Sequence, residues 1–285
     1  MARESHYVHG SAPAEQARLG LMNRILNARH LQAIAPAGGE RVLDVGSGTG
    51  VFALELARAV GEQGRVLCIE RDERQLAAAR ELLRAAPEGE RVELRAGDAA
   101  DLPLRADEWG SFDLAHARFL LEHLPQPLEV VRAMVRALRP AGRIVLADDD
   151  HDVLRLWPQP AAAEVLWRAY MRTYTARGND PHVGRKLVAL LWEAGAEPLR
   201  NDWLFFGGCA GTELFPTVVA NLRGILTGAR EAILEHLPAA EFEAGLSAYD
   251  GWSARPDAAL WFALSWAEGR RPVDPHRTLP HGRAG

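Results

Sequence analysis

The 285-residue sequence predicts an α/β protein: a doubly wound, mostly parallel sheet of seven strands with an N-terminal helix and helical insertions that form a lid. Three observations carry this. Strand-like and helix-like patterns alternate through the first 150 residues. A glycine-rich turn stands at the first strand-to-helix junction, and acidic residues close several of the strands. Strand–helix–strand alternation requires parallel strands with right-handed crossovers, because each crossover helix must pack back onto the sheet.

Taken in order, Arg41–Val45 is a short apolar run that ends at a glycine, and Val51–Val60 has helical spacing. Arg65–Ile69 is the second strand, residues 75–86 the second helix, and Arg91–Arg95 the third strand. Phe112–Ala117 is the fourth. Leu128, Val131, Val135 and Leu138 then recur at helical spacing until Arg139-Pro140-Ala141-Gly142 stops the helix. Arg143–Ala147 is the fifth strand. Asp180 followed by Pro181 reads as an N-cap and first helical position, opening a helix over His182–Glu193 that Gly195 ends. Glu197–Phe206 and Leu260–Trp266 are the sixth and seventh strands. Stretches 153–177 and 213–247 are helical and exceed what a minimal sheet needs, which assigns them to a lid over the crevice. Leu19, Met22, Leu26 and Ile34 mark the N-terminal helix. The chain is expected to be one domain: an N-terminal cover (1–40), a cofactor-binding core (41–150), substrate-side helices with the last two strands (151–271), and a loose tail (272–285).

Thirty-three basic against 38 acidic residues leave a net charge of -5, which favours neither nucleic acid nor an anionic membrane as partner. Two cysteines, Cys68 and Cys209, make no disulfide framework and suit the cytoplasm. The first residues lack the apolar stretch of a signal peptide, and no run of about 18 apolar residues offers a membrane span. Lys186 is the only lysine, an arginine-rich usage that suits a GC-rich bacterial genome.

Val42-Leu43-Asp44-Val45-Gly46-Ser47-Gly48-Thr49-Gly50 fills the first strand–helix turn. Glycines there allow close approach of backbone to a ligand, beside the positive end of a helix. The spacing G-x-G-x-G differs from the G-x-G-x-x-G of dinucleotide sites, and Asp44 inside the strand would repel a pyrophosphate. It would attract an α-amino group or a sulfonium.

This segment resembles the first motif of class I S-adenosylmethionine (SAM)-dependent methyltransferases. Residues 41–148 resemble their small-molecule branch, of the ubiquinone/menaquinone-biosynthesis type. Cys68-Ile69-Glu70-Arg71-Asp72, Ala96-Gly97-Asp98-Ala99, Phe112 to Arg118 with Glu122-His123-Leu124-Pro125, and Leu138-Arg139-Pro140-Ala141-Gly142 match in order, the last departing only at Ala141. The resemblance implies a Rossmann-like methyltransferase fold and SAM as cofactor. It places Glu70 on the ribose hydroxyls, Asp98 on the adenine amine, and Ala117 and Arg118 beside the methionine moiety. Asp44, Gly46, Ser47, Gly48, Arg71, Gln75 and Ala99 complete the implied cofactor contacts, with Tyr7 and Arg18 reaching the amino-acid end from the N-terminal cover.

A sulfonium methyl needs an aligned nucleophile and exclusion of water, so a base is optional. The candidates are His123 and, after strand five, Asp148 and Asp149, which also offer anchors for a cationic substrate. The run Asp148–Asp152 is not expected to bind metal, since successive acids point different ways, and His116 inside a strand reads as a core residue. Seven of the eight tryptophans follow residue 150, which points to a bulky or aromatic small-molecule acceptor. The activity implied is O-, N- or C-methylation of such a molecule, in the setting of secondary metabolism. Alternatives are a different SAM-dependent reaction or a non-catalytic SAM-binding regulator, and a homodimer is the one protein partnership considered.

Overall fold

The computed structural model describes residues 26–274. A helix over 26–34, α1, precedes β1 (Arg41–Val45), α2 (Val51–Val60), β2 (Arg65–Glu70), α3 (Glu73–Arg84), β3 (Val92–Ala96), β4 (Phe112–Arg118), α4 (Pro127–Ala137) and β5 (Leu138–Asp149). Then come β6 (Arg155–Trp157), α5 (Ala161–Ala176), α6 (Leu187–Glu193), β7 (Glu197–Phe205) and β8 (Gly208–Cys209). Helices α7 (Phe215–Gly228), α8 (Arg230–Leu234) and α9 (Ala239–Ser253) lead to β9 (Ala259–Trp261) and β10 (Ala263–Arg270).

Seven strands form one sheet in the order β3-β2-β1-β4-β5-β10-β7. β1 to β5 pair in parallel, and β10 runs antiparallel to both of its neighbours. The doubly wound, mostly parallel seven-stranded sheet is therefore the architecture. Chain direction across the sheet reverses between β1 and β4, so the loops leaving their carboxyl ends diverge and open a crevice there.

Buried parallel strands must be apolar on both faces. Val42, Val66, Cys68, Leu114 and Val145 enter one apolar layer with Leu26, Ile34, Phe52 and Leu56. Their neighbours Leu43, Leu67, Ile69, Ala115 and Ile144 enter the other, against Val131 and Met134 of α4 and Leu187 and Leu191 of α6. The first layer continues without a break into Tyr170, Phe242 and Trp252 of the added helices. Gly245 makes that packing possible, since a Cβ there would lie 2.7 Å from Cβ of Leu166.

Four expectations are corrected. The seventh strand does not run through Leu260–Trp266: the chain leaves one sheet at Phe262 and enters another, so β9 belongs to a small sheet β6-β9-β8 and β10 continues to Arg270. The helix opened by Asp180 begins late. Its carboxylate accepts the His182 N–H at 3.0 Å, but 183–186 form a tighter turn before α6. Gly184 passes so close to the end of β5 that a Cβ would sit 2.8 Å from the Asp148 carbonyl oxygen. The turn 139–142 lies within β5, with Ala141 at φ 63, a left-handed conformation that costs about 1–2 kcal/mol outside glycine. Finally, the stretch 153–177 is not wholly helical, because its first residues form β6 against β9.

Candidate active site

A cleft of about 620 Å3 lies at the carboxyl ends of β1, β2 and β4. Gly46 and Gly48 adopt φ 75 and 59, which turns the chain sharply from β1 towards α2. The Gly46 and Ser47 N–H groups donate to the Ile69 carbonyl at 2.8 and 3.2 Å, tying the loop to β2. A Cβ on Gly48 would stand 2.8 Å from Gln75 Oε1, so the loop surface must be bare at this point. Glu70 closes β2: its Oε2 accepts the Gly48 N–H at 2.9 Å and its Oε1 those of Arg71 and Asp72 at 2.7 and 2.8 Å. Asp72 in turn caps α3 by accepting from the Arg74 and Gln75 N–H groups, which sets Gln75 beside the loop. Asp98 accepts from the Ala100 N–H at 3.0 Å and pairs with Arg71 at 3.5 Å.

The inner wall is a buried polar chain. His116 Nδ1 lies 2.7 Å from Asp44 Oδ1, and His116 Nε2 lies 2.7 Å from His30 Nε2. With Asp44 accepting the Nδ1 proton, His116 Nε2 is left to accept from His30 Nε2–H. Burial pushes the His30 imidazole well down, and the positive charge of Arg118 adds to this. Arg118 donates to Asn27 Oδ1 at 2.8 Å and lies 4.6 Å over the Phe52 ring. Burial pulls its guanidinium down to about 10 against the opposing effect of Asp44, so it remains a cation at neutral pH. Helix α1 is thereby fastened to the ends of β1 and β4.

A third group surrounds the chain after β4. Asp148 is fully buried; its Oδ2 accepts the N–H groups of Leu120 and Leu121 at 3.1 and 2.7 Å, and its Oδ1 that of Asp149 at 3.1 Å. Burial, then the Glu122 charge, pushes its carboxyl well up. These bonds hold the 119–121 turn, where Phe119 has φ 54. His123 faces the cleft with Nε2 3.4 Å from Glu122 Oε1 and its ring stacked 5.6 Å from Tyr174. Glu122 Oε2 is 2.9 Å from Nε2 of His151, whose imidazole burial drives down. Glu122, Asp149 and His151 also bring one ligand atom each within 4.8 Å of one another.

The cleft thus gathers Asp44, Gly46, Ser47, Gly48, Glu70, Arg71, Gln75, Asp98, Ala99, Arg118 and His123. It does not gather three other expected residues. Ala117 points into the opposite apolar layer, because alternate residues of β4 face opposite ways. Asp148 is turned inward as a backbone anchor, and Asp149 lies behind Glu122, away from the cleft lining. Tyr7 and Arg18 lie outside the described residues. His116 is buried as expected of a core residue, yet it also lines the cleft. His30 and Asn27 were not singled out in the sequence, and Glu122 was quoted only as part of the segment after β4, with no role of its own. Their signal was present for the first two as polar residues on the apolar stripe between Leu26 and Ile34. No residue of α5 or α7 to α9 lines the cleft, so the added helices wall a neighbouring space instead of covering the cofactor site.

A glycine-floored cleft with a carboxylate and a guanidinium at one end and two strand-end acids at the other suits a zwitterionic amino acid joined to a nucleoside. A sequence family described as a methyltransferase domain matches residues 37–177. The 27-O-demethylrifamycin SV methyltransferase of Amycolatopsis mediterranei is 30% identical over 264 residues, 86% of this chain and 82% of that enzyme. The chain belongs to the SAM-dependent methyltransferases. This methyltransferase is also 33% identical to the demethylmenaquinone methyltransferase of Desulfitobacterium hafniense over 150 residues, 50% of this chain and 58% of that one. The matched stretches cover 46%, 82% and 58% of the lengths of three curated relatives. Among solved structures, geranyl diphosphate C-methyltransferase from Streptomyces coelicolor A3(2) shares the fold, with a TM-score of 0.53 at 14% identity over 92% of this chain and 85% of that one. The cofactor of this family is SAM.

Proposed function

We propose that this methyltransferase methylates a hydroxyl oxygen of a small molecule, with His123 as the base. The carrying observation is the His123 imidazole on the cleft wall, braced by Glu122 and stacked on Tyr174. A positioned base is dispensable when the acceptor already carries a lone pair and no proton to lose, but it matters for a hydroxyl. SAM, when bound, supplies a methyl on a sulfonium and leaves as S-adenosylhomocysteine. Asp44 and Arg118 would hold the amino and carboxylate groups of its methionine part, Glu70 the ribose hydroxyls, and Asp98 the adenine amine. Gly46, Ser47, Gly48, Arg71, Gln75 and Ala99 shape the wall around it. The Glu122 carboxylate beside Nε2 holds the His123 ring in place, and the imidazole takes the acceptor proton. Phe119, Leu120 and Leu124 keep water from the reacting end. Asp148 serves by holding the 119–121 turn, so its part is positional.

The cytoplasm of a bacterium and a role in secondary metabolism are the setting we favour; the arginine-rich composition, two cysteines and the relative acting on demethylrifamycin support it. The test is calorimetry with S-adenosylhomocysteine followed by turnover on hydroxyl and amine panels. Asp44→Ala and Glu70→Ala should weaken binding at least about tenfold, roughly 1.4 kcal/mol. His123→Gln should leave binding within twofold and lower kcat by about 10²–10⁴. Unchanged kcat in His123→Gln would refute the base assignment.

A further inference from the structure

The central sheet ends on β7, and among the described residues no strand pairs with its outer side. This edge strand is nine residues long, and residues 199–203 are exposed without a break. The direction of its free backbone groups follows from the ladder to β10. Phe205 stands opposite Ala263, and the next N–H, that of Phe206, donates to the Phe262 carbonyl at 2.9 Å. Backbone groups alternate along an antiparallel strand, so Leu204 and Asp202 also bond towards β10, whereas Phe205, Trp203 and Asn201 turn outward. Two of the outward groups have found side chains. The Trp203 N–H donates to Asp202 Oδ1 at 2.8 Å, and the Phe205 carbonyl accepts from Arg29 of α1. Arg29 thus closes the edge at Phe205, while Pro198 and a register shift beside Leu199 close its other end. The stretch 199–203 is left open between them.

An open edge recruits another strand, and the sequence of this one favours its own copy. Leu199-Arg200-Asn201-Asp202-Trp203 is complementary to itself when reversed. Antiparallel pairing of two copies about Asn201 puts Arg200 of each opposite Asp202 of the other, and sets the exposed Leu199 and Trp203 against each other at both ends. Because the outward groups are those of Asn201 and Trp203, Arg200 and Asp202 form the non-hydrogen-bonded kind of pair. Their Cα atoms then stand only about 4.5 Å apart, which brings the side chains together. Charge also fixes the register. A pairing centred one residue earlier sets Arg200 opposite Arg200, and one residue later sets Asp202 opposite Asp202, both repulsive. Arg200 is already placed for the contact, with its guanidinium 4.3 Å over the Trp266 ring and donating to the Ala33 carbonyl at 3.3 Å. Pairing would give the Trp203 N–H a backbone carbonyl and so release Asp202 to meet Arg200.

We propose that residues 199–203 are the docking surface for a second copy of this chain, which joins the two seven-stranded sheets edge to edge about a two-fold axis at Asn201. The two copies run in opposite directions across this axis. β7 is parallel to β5, since both are antiparallel to β10, so the two cofactor clefts fall on opposite rims of the joined sheet and both stay open.

The test is sedimentation equilibrium of the full chain, with Tm and S-adenosylhomocysteine affinity as controls for folding. The parent should sediment at twice the 31.2 kDa of one chain. Asp202→Arg sets guanidinium against guanidinium at both pairs and should weaken the dimer at least about tenfold. Arg200→Asp does the same with carboxylates. The double reversal, Arg200→Asp with Asp202→Arg, restores opposite charges and should return the dimer affinity to within about threefold of the parent. Mixing the two single variants should give a heterodimer. Asn201→Pro removes the central outward N–H without touching the ladder to β10, and should give a monomer. S-adenosylhomocysteine affinity should stay within about twofold in every variant, because none touches the cleft. If Arg200→Asp loses its fold beside Glu268, 3.9 Å away, Asp202→Arg and Asn201→Pro decide alone. A parent that remains monomeric up to about 100 μM overturns the proposal. So does a dimer indifferent to Asp202→Arg and Asn201→Pro, which would place the interface elsewhere. A folded double reversal that stays monomeric would refute the register about Asn201.

Discussion

Replacing Asp148 by alanine strips three backbone N–H groups, those of Leu120, Leu121 and Asp149, of their acceptor in a fully buried position. A buried donor left unpaired costs about 1–3 kcal/mol, so the three lose on the order of 3 kcal/mol at the low end of that range. Part is returned, because the carboxyl is pushed up by burial and by Glu122 and its ionised form is therefore unfavourable where it stands. A net loss of about 2 kcal/mol follows, which for a chain of this size lowers Tm by roughly 4–8 °C. The pH dependence has a definite sign. A carboxyl whose folded pKa is raised binds more protons in the folded state than in the unfolded one. The native protein therefore loses stability as pH rises from about 4 towards the raised value, and the deficit of the variant is larger at pH 4 than at pH 8. Differential scanning calorimetry at the two pH values reads this directly. Release of the Phe119 turn should also displace His123, so turnover falls with stability. A variant that keeps its Tm and its S-adenosylhomocysteine affinity but loses turnover would refute the anchor role and make Asp148 the base.

Two further outcomes are expected. Gly48→Ala must hold a Cβ at φ 59 and 2.8 Å from Gln75 Oε1, so S-adenosylhomocysteine affinity should fall about tenfold or more in calorimetry, and unchanged affinity would mean the loop does not touch the cofactor. Glu108, buried among Arg41, Arg95 and Arg105, is held down at about 2, chiefly by the Arg95 hydrogen bonds. Its contribution is complete above pH 4.5 and is lost as pH falls towards 2, so Glu108→Gln should flatten the acid limb of urea midpoints measured between pH 2 and 6; an unaltered limb would contradict the pairing.

Much of the sheet and the cofactor cleft was legible because both depend on local pattern. Strands β1, β2, β4 and β5 are apolar on both faces, helices α2 and α4 carry an apolar stripe, and glycines are required where the chain turns at positive φ. Motif order then carried Glu70 and Asp98 to neighbouring strand ends, which needs only parallel pairing of β1 to β3. What sequence could not decide is whatever depends on approach between distant segments. The acidic run after β5 looks uniform in sequence, yet Asp148 turns inward to the 119–121 turn, Asp149 lies near Glu122 and His151, and Asp150 pairs with Arg185. Which acid meets backbone, imidazole or guanidinium is set by how β4, β5 and the chain before α6 meet. Likewise His30 and His116 are 86 residues apart and join only when α1 lies across the sheet. The apolar stretch 260–266 hides a passage from one sheet to another, since apolar pattern reports burial but not which layer does the burying. Local chemistry determined the fold and the cofactor; the pairing of buried charges and the open edge of β7 came from tertiary packing, because desolvation and exposure are properties of neighbours that sequence does not place.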